Sequence, residues 1–188
     1  MSTISHLRAD ASKNRERIIV EARELFSRAA NPTSLEAIAR AAGVGIGTLY
    51  RHFPTKEALV EAVYRSELDA LAVEADSLLA KYSSADAMRR WMDRYATFVV
   101  TKHAMLEALK IALTPRPGPG SETRARISRT IEKFLEAGSR DGSTRDGIRA
   151  DDLTLSLAGS VFAATASADE DQVSRILDLL MAGLRSAK

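Results

Sequence analysis

The sequence predicts an all-α chain of about nine helices, with a three-helix helix-turn-helix head over 1–56 and a helical body over 57–188. Three observations predict it. Apolar residues recur at helical spacing through most of the chain, and no stretch alternates as a strand would. Two short helical patterns flank a glycine turn within Thr33–Lys56. Proline, glycine and serine clusters then divide the remainder into helix-length pieces.

In chain order, residues 1–11 are expected to be weakly ordered. Lys13, Arg15 and Arg17 open a first helix, which Ile18, Ala22, Leu25, Phe26 and Ala29 make amphipathic as far as Ala30. Asn31-Pro32 ends it. Thr33 and Glu36 have the spacing of a capping box, so the next helix should start just after Thr33. Leu35, Ile38, Ala39 and Ala42 give it one buried face, and Gly43 supplies the positive φ that ends it. Val44 plugs the turn. A second short helix follows until Pro54, which cannot continue the hydrogen-bond ladder. Such a pair is a helix-turn-helix, whose second helix enters the DNA major groove.

The same glycines have rival readings. A phosphate-binding loop needs a Lys after its last glycine, and none stands there. A dinucleotide fingerprint needs a third glycine where Thr48 lies, and a strand before it. Both readings fail on these positions.

Thr55 caps a long helix, with Glu57 favourably placed in its first turn. Leu59, Val63, Tyr64, Leu68 and Leu71 extend it toward Tyr82, about 40 Å at ~1.5 Å per residue. Ser83-Ser84 restarts the chain. Helices are expected over 85–101, 103–113, 121–137 and 151–165, with a loop at Pro115–Gly120 and a polar connection at Gly138–Gly147. Asp169-Glu170-Asp171 opens the last helix, acids again at its positive end.

Charge is uneven. Residues 1–56 hold nine Lys/Arg and five Asp/Glu, a net of +4, which leaves −2 for the rest of a chain whose total is +2. A basic head on a faintly acidic body suits a phosphate backbone at one end. There is no cysteine, hence no disulfide framework and no thiolate metal site. With no signal-peptide pattern and no membrane-length apolar run, a cytoplasmic protein is expected. His6, His52 and His103 lack metal-ligand spacing, and no nucleophile motif occurs. No catalytic residue, metal or cofactor is expected, so the chain reads as a non-enzyme.

The head resembles the DNA-binding domain of the TetR family of bacterial regulators. Ile38-Ala39, Ala42-Gly43-Val44, Gly47-Thr48-Leu49-Tyr50, His52-Phe53, Lys56 and Leu59-Val60 carry the resemblance. It extends back to Arg17-Ile18-Ile19 and Ala22–Phe26, and Gly45–Leu59 and the Trp91 region are similar to an actinobacterial subgroup. It implies that Gly45, Ile46, Gly47 and Thr48 face base edges, and that Thr33, Ser34, Tyr50, His52 and Lys56 touch phosphates. By its own chemistry, Thr48 can reach a thymine methyl, and Arg51 a guanine or a phosphate. The glycines offer little hydrogen bonding, which shifts weight toward backbone contacts and shape. For Tyr50 the competing reading is a core residue, and for His52 a plain surface one.

In the body, Trp91, Tyr95, Phe98, Met105, Leu109, Phe134 and Phe162 are the large apolar residues that would line a cavity for a small hydrophobic or aromatic effector. Ordinary core packing explains the same stripe. The last helices place Leu157 and Val161, then Val173, Ile176, Leu177, Leu180, Met181 and Leu184, at helical spacing. The resemblance implies that these two helices form a homodimer contact. The expected function is an operator-binding transcriptional regulator, a repressor released by an apolar ligand. Alternatives are a regulator without an effector, and a helical enzyme or ligand carrier.

Overall fold

The computed structural model describes residues 2–28, 34–108, 119–164, 169 and 171–186. They form eight α-helices: α1 (Ser2–Arg28), α2 (Leu35–Ala41), α3 (Ile46–His52), α4 (Lys56–Leu79), α5 (Ser84–Ala108), α6 (Pro119–Asp141), α7 (Ala150–Ala164) and α8 (Gln172–Leu184). Among the described residues the one β feature is a single antiparallel bridge, Thr144 to Arg185. No described helix is long and apolar enough to cross a membrane.

Several boundaries differ from the sequence expectation: α4 stops at Leu79, short of Tyr82, α6 runs on to Asp141, past 137, and α8 opens at Gln172, after the acids expected to start it. Helix α1 runs back to Ser2, because nothing between Ser2 and Arg28 is a proline or glycine that would stop it. The two helices expected at 85–101 and 103–113 run as one through Ala108, so the described residues hold eight helices where about nine are expected. Pro119 opens α6 instead of ending a loop. Its missing N–H costs nothing in a first turn, and its fixed φ suits a helix start. The cap of α2 is Ser34, not Thr33, which lies outside the described residues. Ser34 has extended backbone angles and its Oγ accepts the N–H of Ala37 at 3.2 Å.

Two compact units emerge. One takes the chain up to Ser66 and a segment starting at Thr101; the other takes Glu67–Val100 and the described residues from α6 onward. The first unit has its own core. Ile18, Ala22 and Phe26 of α1 meet Leu35, Ile38, Ala39 and Ala42, then Leu49 and Phe53, then Leu59 and Val63 of α4. The apolar face expected on α2 is fully used there, and it fixes where α3 sits.

In the second unit α6 packs on α7 and α7 on α8. Trp91, Tyr95 and Phe134 are buried together, with Trp91 5.6 Å from each of the other two rings. The indole N–H of Trp91 donates to the carbonyl oxygen of Leu71 at 3.0 Å, so its one polar group is satisfied in the core. The ends of α5 and α6 are tied by polar groups. Ser84 Oγ donates to Asp141 at 2.6 Å and lies 2.8 Å from Ser143 Oγ.

Candidate nucleic-acid interface

The turn between α2 and α3 is built on Gly43, whose φ is +62°. Only glycine takes that angle without strain. The turn lets the Gly43 N–H reach the Arg40 carbonyl at 3.1 Å, and the Val44 N–H reach that of Ala39 at 2.9 Å. These bonds close the carbonyl end of α2. Helix α3 then starts from Gly45, whose carbonyl accepts the N–H groups of Thr48 and Leu49.

Two side chains orient α3. Leu49 is wholly buried and Phe53 nearly so, both in the head core. At 3.6 residues per turn this leaves Ile46, Gly47, Tyr50 and Arg51 outward, and all four are exposed. Tyr50 is 45 % exposed, so its phenol belongs to the surface and not to the core. Thr48 and His52 are half-buried at the margins of this face. Gly45 and Gly47 leave the backbone bare: a Cβ at either would meet nothing within 4 Å.

The flanks are basic and carry helix starts. Thr55 Oγ accepts the Ala58 N–H at 3.1 Å, capping α4 just before exposed Lys56. Hydrogen bonds from its own backbone and from Ser34 hold the Glu36 carboxyl below its ordinary value, with a smaller pull from the Lys56 ammonium. The guanidinium of Arg15 stands 5.2 Å over the Phe53 ring, placing a cation of α1 beside the end of α3. Ser34, Gly45, Ile46, Gly47, Thr48, Tyr50, Arg51, His52 and Lys56 thus belong to one folded unit. Thr33 lies outside the described residues.

The body residues divide. Trp91, Tyr95, Phe98 and Phe134 are buried, with Tyr95 and Phe98 6.0 Å apart. Phe162 is 58 % exposed and so is not part of that buried set. The Met105 side chain and Leu109 lie outside what the structure describes. On the last two helices, Leu157, Val161, Leu177, Met181 and Leu184 are buried within the single chain. Val173, Ile176 and Leu180 are half-buried. The large apolar residues exposed there are Leu155, Phe162 and Leu179; of these the sequence pattern marks only Phe162. It also misses the buried carboxylate of Glu67, paired with Arg94 at 2.8 Å. Its sequence signal is faint: Glu67 and Glu74 lie seven apart on α4, and Arg94 reaches both. Among the described residues no group of His, Cys, Asp and Glu is arranged to hold a metal ion.

A helix-turn-helix head with a helical body is the build of a DNA-binding transcriptional regulator. The chain belongs to the TetR family: the profile of the bacterial regulatory proteins of the tetR family matches residues 18–63, and that of the SbtR-like transcriptional regulator C-terminal domain matches residues 83–186. The crystal structure of a TetR transcriptional regulator from Streptomyces coelicolor is similar, with a TM-score of 0.77 and 36 % identity over 93 % of this chain and 99 % of that one. A TetR regulatory protein from Mycobacterium vanbaalenii gives 0.72 and 30 %, over 96 % and 99 %. An HTH-type transcriptional regulator of Staphylococcus aureus is 29 % identical over 159 residues, 84 % of each chain.

Proposed function

We propose that this regulator is a homodimeric repressor, in which residues 1–56 grip operator DNA while residues 57–188 dimerise and sense an apolar ligand. The observation that carries the DNA part is the face of α3, where bare glycine backbone and exposed Tyr50 and Arg51 lie outward from a fully used core. Tyr50, His52, Lys56 and the capped start of α2 at Ser34 contact phosphates. Thr33 adds a further contact by resemblance. Free N–H groups at helix starts favour an anion.

The apolar residues left outward on α7 and α8 favour dimerisation. Leu155 and Phe162, seven apart on α7, share a side of that helix. Leu179 on α8 is 73 % exposed. Gly159 and Gly183 have open space where a Cβ would stand, so a second copy can approach the backbone closely. The two heads of such a dimer would address half-sites about one DNA turn apart. An effector acts by favouring a state whose heads no longer match that spacing. The aromatic cluster at Trp91 is the place in the body whose chemistry suits such a ligand.

The test is a mobility-shift titration with the DNA upstream of the gene for this chain. Specific binding that weakens steeply with salt is expected. Adding hydrophobic compounds and scoring release of that DNA then separates an effector-controlled repressor from one without an effector. Equal binding to every duplex would contradict the operator reading.

A further inference from the structure

On the exposed side of α3, Arg51 lies folded back along its own helix. Its Nε–H donates to the carbonyl oxygen of Gly47 at 3.2 Å, and an Nη2–H donates to the hydroxyl oxygen of Thr48 at 3.1 Å. A guanidinium has two edges able to donate a parallel pair of bonds, Nε with Nη2 and Nη1 with Nη2. The helix engages the first edge. Among the described residues no protein group engages the second. A long and flexible side chain is thereby held flat against α3 before any DNA arrives, with a donor pair still open. The ground ahead of it is clear, since Gly45 and Gly47 carry no side chains and a Cβ at either would meet nothing within 4 Å.

We infer that Arg51 reads a guanine through its Nη1–Nη2 edge, and that Thr48 is the positioning residue that holds the guanidinium for it. The inference rests on α3 being the helix that faces the bases. Guanine alone presents two acceptors side by side in the major groove, O6 and N7, and a fixed pair of parallel donors matches them. A phosphate also accepts two bonds from arginine. Two features of this site favour the base. Arg51 shares its side of α3 with the bare glycine backbone, where base edges approach most closely. The Thr48 bond also fixes the plane of the fork, which a planar base edge demands and a tetrahedral phosphate does not. Thr48 then acts on sequence preference through Arg51.

The experiment starts from operators that the full chain selects from random duplex DNA. Each guanine of the selected half-site is replaced in turn by 7-deazaguanine, which keeps base pairing and loses the N7 acceptor. Affinity is measured at fixed salt and across a salt series. One guanine per half-site should be sensitive, and its replacement by another base should cost roughly five- to 150-fold in affinity. Arg51→Lys keeps the charge without the fork and should flatten preference at that position alone. Thr48→Val should flatten the same position, while Thr48→Ser, which restores the hydroxyl, should retain the preference. The salt slope should stay as in wild type for all three variants. If Arg51→Lys leaves the guanine preference intact, Arg51 does not read that base. If Thr48→Val leaves it intact, the positioning role is wrong. Selected sites without a sensitive guanine overturn this inference alone, whereas a chain that selects no sequence overturns the operator reading beneath it.

Discussion

Leu177 and Leu179 stand two residues apart on α8 and face opposite ways: Leu177 is fully buried and Leu179 is 73 % exposed. The inward residue belongs to the chain's own core. The outward one, like Leu155 of α7, is exposed, and on the proposed reading it meets a second copy. Leu177→Ala should therefore destabilise each chain by about 2–5 kcal/mol, as large-to-small core changes do. Leu179→Glu should leave the fold intact and abolish dimerisation. Sedimentation equilibrium at micromolar concentration checks this. Wild type should sediment at twice the 20.4 kDa of one chain and Leu179→Glu at that single mass, with unchanged helical circular dichroism. A wild-type monomer would remove the two-half-site argument.

Gly47 sits in the first turn of α3 with open space around its missing Cβ. Gly47→Ala should raise stability by up to about 1 kcal/mol, because glycine is the costlier helix residue. It should also weaken operator binding by placing a methyl group between the helix and the DNA. Urea unfolding and a binding titration on one preparation would show opposite signs. Stability and affinity rising together would mean that α3 does not approach DNA at Gly47.

Lys56 and His52 are assigned to phosphates, so their loss should be blind to sequence. Lys56→Ala is expected to weaken binding to matched and mismatched sites nearly alike. It should also lower the salt dependence by about one counterion per head. His52→Ala should likewise weaken binding uniformly. A change in base preference from Lys56→Ala would contradict its placement.

Acid should loosen the second unit at the junction of α5 and α6. Hydrogen bonds from Ser143 and Ser84 hold the Asp141 carboxyl below its ordinary value. A carboxyl depressed in the folded state adds stability above its unfolded pKa and loses it as pH falls through the folded one. Denaturant unfolding between pH 6 and 3 should therefore show stability falling below about pH 4. Asp141→Asn should remove part of that fall and lower stability at pH 6. An unchanged profile would show that these bonds contribute nothing to folding.

What was legible in the sequence was local. Leu35, Ile38, Ala39 and Ala42 are all buried at their helical spacing, and Gly43 has the positive φ its position implies. What stayed hidden needed partners or a choice between equals. Thr33 and Ser34 are adjacent hydroxyls, and pattern alone does not say which one caps α2. Helix α7 is apolar nearly all round, so its sequence does not separate inward Leu157 from outward Leu155 and Phe162. The Glu67–Arg94 pair joins residues 27 apart, beyond any local periodicity. The fold-back of Arg51 onto Thr48 needs only i, i+3 spacing, yet exposed arginines meet that spacing too often for it to signal a site.

Two copies of α3, presented by one dimer, are expected to recognise a specific duplex. Selection from random duplex DNA by the purified protein, followed by stoichiometry on the enriched site, decides this. The expected result is an enriched sequence with two-fold symmetry, half-sites spaced about one helical turn or a multiple of it, and two chains per half-site pair. An unenriched pool, or an asymmetric site occupied by a single chain, would contradict it.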